Sequence, residues 1–294
     1  MSRLVKTLGM IRFEHSVFAL PFALAGAWIP ARGVPPWADL LGIVLAAVAA
    51  RSAAMAFNRI VDLPFDARNP RTQDRELVTG GLGIRYAAGF TIFHSILFVA
   101  ISFWLAPICG WLSLPVLGVL LGYSLLKRFT LLCHFGLGLA LACAPTGAWL
   151  AISKSFVPGW DVPLWIGFGV VLWVAGFDLL YAIQDAGFDR NEGLRSIPSK
   201  LGPNRTRALS ALMFLLALCA WGFAGVEGWF AWPYFVALGL MAGLFGAEHW
   251  LVRGNRYDRI PIAFFKVNAW VGIVFFVGLA LALHPLDPKG TLGP

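Results

Sequence analysis

Charge is what this sequence has least of. Asp, Glu, Lys and Arg make up 13% of its 294 residues, against about 25% in a soluble domain. Acids are the scarcer sign, with 15 Asp and Glu in the whole chain. Together with 59% hydrophobic residues, this excludes an ordinary soluble globular domain and a disordered one. Cysteine is nearly missing too. Cys109, Cys133, Cys143 and Cys219 form no Cys-x-x-Cys pair and lie in or beside apolar runs, so a disulfide framework or thiolate metal site is not expected. His94, His134, His249 and His284 have no metal-ligand spacing. No linker or low-complexity run divides the chain, and a single domain, 1–294, is expected.

What is present instead is repeated apolar sequence of membrane-crossing length. Nine spans are predicted, at 16–34, 39–60, 86–107, 110–127, 132–152, 162–183, 207–226, 231–251 and 263–284. The short, Gly-rich 110–127 carries the weakest signal. Placing the N-terminus inside puts 19 of the 23 Lys and Arg on the cytoplasmic side. Only Arg32, Lys154 and Lys289 fall outside, and Arg51 lies within span two. That bias supports nine helices, N-terminus in and C-terminus out. It also accounts for most of the net charge of +8, which is therefore no sign of nucleic acid. Basic residues before Ser16 and the small residues Ala25-Gly26-Ala27 imitate a signal peptide. Span one continues past them to Ile29, however, and its removal would invert every later loop. The expected partner is the lipid bilayer, with no obligate protein partner evident.

The scarce acids are not scattered. Asn58-Arg59-Ile60-Val61-Asp62-Leu63-Pro64-Phe65-Asp66 follows span two, and Tyr181-Ala182-Ile183-Gln184-Asp185-Ala186-Gly187-Phe188-Asp189 follows span six. Both contain Asp-x-x-Phe-Asp, 123 residues apart, which reads as a weak internal repeat whose halves face one cavity. A spacing of four puts Asn58, Asp62 and Asp66 on one helix face. Pro64 is expected to kink or end that helix near Asp62 and leave Asp66 to the turn. Tyr181, Asp185 and Asp189 repeat the spacing, and Asp178 lies deeper on the same face.

One reading makes these acids solvated and paired with Arg59 and Arg68. The other makes them ligands for Mg²⁺, which takes oxygen donors and keeps substrate phosphates in its shell. Two matched clusters favour the second, with two Mg²⁺ bridging a diphosphate. Arg68, Arg71, Arg75, Lys127, Arg128, Arg195 and Lys200 are then candidates to hold the diphosphate oxygens. The loop 61–85 is expected to carry a short helix capped by Thr72 and ended by Gly80-Gly81. Arg51, a charge within a span, needs a partner: either the carboxylate of an aromatic acceptor or an intramembrane Asp such as Asp178. Glu14-His15 enters the membrane with span one, and an interfacial hydrogen-bonding role is expected for His15. Thirteen Trp and 24 Phe mostly anchor and pack in lipid.

Asn-x-x-x-Asp-x-x-x-Asp after span two, Asp-x-x-x-Asp after span six, the stretch Asn69-Pro70-Arg71-Thr72 and nine spans together resemble the UbiA superfamily of intramembrane prenyltransferases. The similarity runs over essentially the whole chain. Residues 181–189 and Tyr123-Ser124-Leu125-Leu126-Lys127-Arg128 resemble its 4-hydroxybenzoate polyprenyltransferase branch. Arg12-Phe13-Glu14-His15-Ser16-Val17-Phe18-Ala19-Leu20-Pro21 resembles members linked to menaquinone made through futalosine.

The resemblance implies an all-α bundle around a central cavity, open to the cytoplasm, in the bacterial inner membrane. It implies Asn58, Asp62, Asp66, Asp185 and Asp189 as holders of Mg²⁺, with the four aspartates as catalytic acids. Arg68, Arg75, Lys127 and Lys200 would be basic partners of a polyprenyl diphosphate; Arg128, Tyr181 and Arg51 are further substrate-binding candidates. The reaction implied is prenyl transfer to an aromatic acceptor such as 4-hydroxybenzoate, in ubiquinone or menaquinone biosynthesis. Two alternatives remain: a naphthoate or other acceptor, and an ion-coupled transporter. Against the transporter, the acids sit at helix ends rather than mid-bilayer, and no broken-helix pair appears.

Overall fold

In lipid every backbone polar group must be satisfied within its own segment, so long apolar runs fold as helices. The computed structural model, which describes residues 2–12, 18–254, 256 and 259–283, is helical throughout its spans. A short helix α1 (Arg3–Met10) is followed by α2 (Leu20–Ala31), α3 (Trp37–Asp66), α4 (Ile84–Leu105) and α5 (Pro107–Leu126). Next come α6 (Cys133–Ser153), α7 (Asp161–Ala182), α8 (Ala186–Asn191), α9 (Ile197–Glu227) and α10 (Trp232–Leu251). A π-helical turn, Ala263–Val267, leads into α11 (Asn268–Leu283).

Every predicted span holds a helix, and among the described residues eight helices are long and apolar enough to cross a bilayer. The first span is represented by the 12 residues of α2. Half of the opening motif, residues 13–17 with Glu14-His15 among them, lies outside the described residues, as do His284 and Lys289. The chain is an integral membrane protein.

Two boundaries differ from expectation in ways that matter for the site. α3 runs through Pro64 to Asp66 instead of ending near Asp62. Proline there falls in the last turn, where little helix remains to be broken. Arg128 Nη2 also donates to the Val61 carbonyl at 2.6 Å, next to the carbonyl of residue 60 that Pro64 leaves without its helical donor. α9 begins ten residues earlier than span seven, behind a capping box in which Ser196 and Ser199 exchange hydrogen bonds. Gly202, at φ +74°, and Pro203 kink it just afterwards.

The core lies where α2, α7, α9, α10 and α11 meet. Phe22, Trp173, Trp221, Tyr234 and Phe275 are buried there, with Phe22 and Phe275 ring centroids 4.7 Å apart. Close backbone approach builds the rest, as is usual without a hydrophobic drive between helices in lipid. A Cβ on Gly138 of α6 would lie 2.5 Å from the Val171 carbonyl of α7, so only glycine permits that crossing. Asn268 links three elements, accepting from Trp173 Nε1 at 2.8 Å and donating to Glu248 at 3.1 Å. α7, which leads into the second acid cluster, is thus held on all sides. At the opposite end of the bundle Trp37, Trp104, Trp111, Trp229 and Trp232 are exposed, an aromatic belt at one membrane interface.

Candidate active site

At the other end, the two acid clusters converge on one pocket of about 100 Å³. Asp62, Asp66, Asp185 and Asp189 all line it, with Arg71, Arg75, Lys127 and Arg128 between them. α3 delivers the first pair on one face. The second pair is delivered differently: α7 tightens into a 3-10 turn at Ile183–Asp185, and Asp189 lies on α8.

Each carboxylate meets a different cation. Asp66 lies 2.5 Å from Arg75. Asp185 takes the Arg71 fork through both oxygens, at 2.9 and 2.5 Å, and accepts from the Asn69 amide at 3.2 Å. Asp189, fully buried, has Lys127 at 2.7 Å and the Ser196 hydroxyl at 2.7 Å. Asp62 is held most loosely, 3.6 Å from Arg128, with the Asn58 amide donating to it at 2.9 Å.

Burial alone would lower the Lys127 pKa, but the Asp189 carboxylate offsets this and holds it above the ordinary lysine value. Burial likewise acts against the charge of Arg71, and its bonds to Asp185 more than compensate. Both stay cationic.

The segment between α3 and α4 carries Asn69, Arg71 and Arg75. The expected helix does not form there; residues 67–83 are a chain of turns. Thr72 does not cap forward: its hydroxyl donates back to the Asp66 carbonyl at 3.1 Å, and the Asn69 side chain accepts from Arg71 N at 3.0 Å. These side-chain bonds, with Pro70 between, compete with a helix start. Asn69 and Arg71 therefore belong to the first cluster in sequence and clamp the second in space. In the sequence Asn69 carries no role beyond its place in the stretch Asn69-Pro70-Arg71-Thr72.

Other expected residues lie nearby or apart. The Tyr181 hydroxyl accepts from Arg71 Nη1 at 2.7 Å, and the guanidinium sits over its ring at 5.1 Å. Arg68 pairs with Glu192 at 2.8 Å, outside the pocket lining. Lys200 is exposed and also outside that lining. Arg195 donates to the Phe129 carbonyl at 2.7 Å and so ties the segment between α8 and α9 to the loop after α5. Asp178 is not the partner of Arg51, since it faces the buried His134 at 2.6 Å. Arg59 does not pair with the pocket acids; it is buried and donates to the Met10 carbonyl at 3.1 Å.

Arg51 lies about three turns below Asp62 on α3, donating to the Arg12 carbonyl at 3.2 Å. It lines a second cavity of about 600 Å³ among α2 to α7. That cavity is almost entirely apolar, and among the described residues Arg51 is the one charged side chain on its wall. On α5 the neighbours Tyr123 and Ser124 line the cavity and the pocket respectively, so the two spaces follow one another along the bundle. Lipid-facing Leu112, Leu139 and Phe168 are on the cavity rim.

Carboxylate and amide oxygens are the donor set that a hard divalent cation such as Mg²⁺ takes, and here four carboxylates share one pocket. The donor chemistry fits, although among the described residues no three His, Cys, Asp or Glu gather closely enough to hold an ion in this arrangement.

A family model described as the UbiA prenyltransferase family matches residues 19–282. A 4-hydroxybenzoate octaprenyltransferase of Hydrogenovibrio crunogenus is 32% identical over 262 residues, 88% of this chain and 89% of that protein. The protein of the same description from Saccharophagus degradans is 31% identical over 86% of this chain and 83% of its own. Among solved structures, a UbiA homologue from Aeropyrum pernix superposes with a TM-score of 0.82 at 33% identity, covering 91% of this chain and 98% of that one. A UbiA homologue from Archaeoglobus fulgidus, described as bound to DMAPP and Mg²⁺, shares the fold with a TM-score of 0.74 at 18% identity, over 96% of this chain and the whole of its own.

Proposed function

The chain belongs to the UbiA prenyltransferase family, and from that premise we propose that it transfers a polyprenyl group from a polyprenyl diphosphate to an aromatic acceptor such as 4-hydroxybenzoate, in quinone biosynthesis. One observation carries the residue-level reading. Four carboxylates and four cations line a single pocket at the head of a long apolar cavity. Neither a solvated acidic loop nor an ion relay requires that combination; a metal–diphosphate head and a hydrocarbon tail do.

Asn58, Asp62, Asp66, Asp185 and Asp189 are the residues that would hold Mg²⁺. Bound there, it would neutralise the charge that develops on the leaving diphosphate. Arg75, Lys127 and Arg128 reach the same pocket and grip the diphosphate oxygens. Tyr181 acts through its hydrogen bond with Arg71. The apolar wall takes the prenyl chain and excludes water from its reactive carbon. Arg51, on the wall of that cavity, suits the acceptor's carboxylate.

The allylic C–O bond breaks with its electron pair going to the diphosphate. The acceptor ring then attacks the allylic carbon ortho to its hydroxyl, and loss of the ring proton restores aromaticity. The pocket lies at the cytoplasmic end of a bacterial inner-membrane protein in this reading, and residues 1–294 act as one domain.

The test is Asp62→Ala and Asp185→Ala in membranes. Each should cut turnover by about 100-fold or more with insertion unchanged. Full activity in either variant would remove the metal–diphosphate reading of the pocket.

A further inference from the structure

The pocket acids already have partners. Arg75, Arg71, Lys127 and Arg128 each face a different one. A carboxylate engaged edge-on by a guanidinium fork, as Asp185 is by Arg71, has less oxygen left to offer an ion. A bare divalent ion would have to displace that fork, and the displaced guanidinium would stay beside it. Charge would then accumulate in a pocket that already carries four cations. An ion arriving on a diphosphate brings new oxygens for the displaced arginine, so every charge keeps a partner.

The segment that carries Arg71 and Arg75 is built for such an exchange. At its far end Leu77 and Leu82 pack against Met10, Ile11, Ala56 and Ala87. Its near end is held by polar contacts: Asn69 and Arg71 on the Asp185 carboxylate, Arg75 on that of Asp66, and Thr72 on the Asp66 carbonyl. Arg71 is one-third exposed and can be reached from outside.

We propose that this pocket takes the divalent metal and the diphosphate together, as one complex, and that Arg71 and Arg75 pass from carboxylate to phosphate oxygens as it enters. Arg71, a diphosphate candidate from the sequence, thereby has a second role of holding Asp185 closed to bare metal ions. The inference rests on reading the pocket as the donor site.

Equilibrium dialysis of the purified full chain tests it, counting protein-bound Mn²⁺ in place of Mg²⁺, with and without inorganic pyrophosphate. At equal free metal, pyrophosphate should raise bound Mn²⁺ about tenfold or more. Arg71→Gln, with its fork removed, should bind Mn²⁺ alone about tenfold more tightly than the unaltered protein. Arg75→Gln repeats the test from the Asp66 side, and the comparison on the unaltered protein needs no variant. The proposal is overturned if Mn²⁺ binds as tightly without pyrophosphate as with it, or if neither substitution changes binding of the metal alone. Retention of neither ligand under any condition overturns the donor-site reading itself, and the proposal with it.

Discussion

Asp189 shows how the site constrains single residues. It is fully buried, and its charge is offset by Lys127 at 2.7 Å and by the Ser196 hydroxyl. Removing one member of a buried pair leaves the other uncompensated. Because Lys127 is itself about one-third exposed, the cost is reduced by solvent. Lys127→Ala should therefore lower stability by about 1–3 kcal/mol, seen as a fall in unfolding midpoint in detergent, and lower turnover as well. Arg128 faces the loosely held Asp62, which is about one-third exposed, so Arg128→Ala should reduce turnover with a stability loss of less than about 1 kcal/mol. Lys200 lies outside the pocket lining, and Lys200→Ala should cost at least about tenfold less activity than Lys127→Ala. Parallel turnover and unfolding measurements on the three variants separate these roles.

At the scale of elements, glycine contacts fix how α6 carries its neighbours. A side chain at Gly138 would push α6 from the α7 backbone. Gly138→Val should destabilise the bundle by about 1–3 kcal/mol, read as a lower unfolding midpoint, with lost activity rescued at reduced temperature.

The same scale shows what the sequence could reveal. The spans were legible because apolar length and the Lys and Arg bias are strong local signals. The acid clusters stood out because carboxylates are scarce here and the spacing repeats. The fate of Pro64 was not legible. It falls in the last turn of α3, where little helix remains to break, and Arg128, 64 residues further along, reaches the adjoining carbonyl. Thr72 and Gly80-Gly81 imitate the cap and stop of a short helix in the loop 61–85, but the Thr72 hydroxyl donates to the Asp66 carbonyl instead. The pairing of Asn69 and Arg71 with Asp185 joins residues more than 110 positions apart, which no periodicity encodes. His134 and Asp178 were likewise visible singly but not as a pair.

Taken whole, the molecule is a charged pocket set on an apolar cavity about six times its volume. Ala54 and Ala140 are small residues on the cavity wall. Ala54→Phe should fill part of the path of the tail and shift preference from long to short prenyl donors by about tenfold in kcat/KM. Competition between a long and a short diphosphate in one assay would show it. An unchanged ratio would mean that the tail runs elsewhere.

The most direct measurement is turnover in membranes with Mg²⁺ and a labelled polyprenyl diphosphate, offering 4-hydroxybenzoate and a naphthoate side by side, with EDTA as the control. The account predicts a prenylated aromatic product that disappears with EDTA, 4-hydroxybenzoate being the acceptor used. A product formed equally well in EDTA, or no binding of the donor at all, would contradict it.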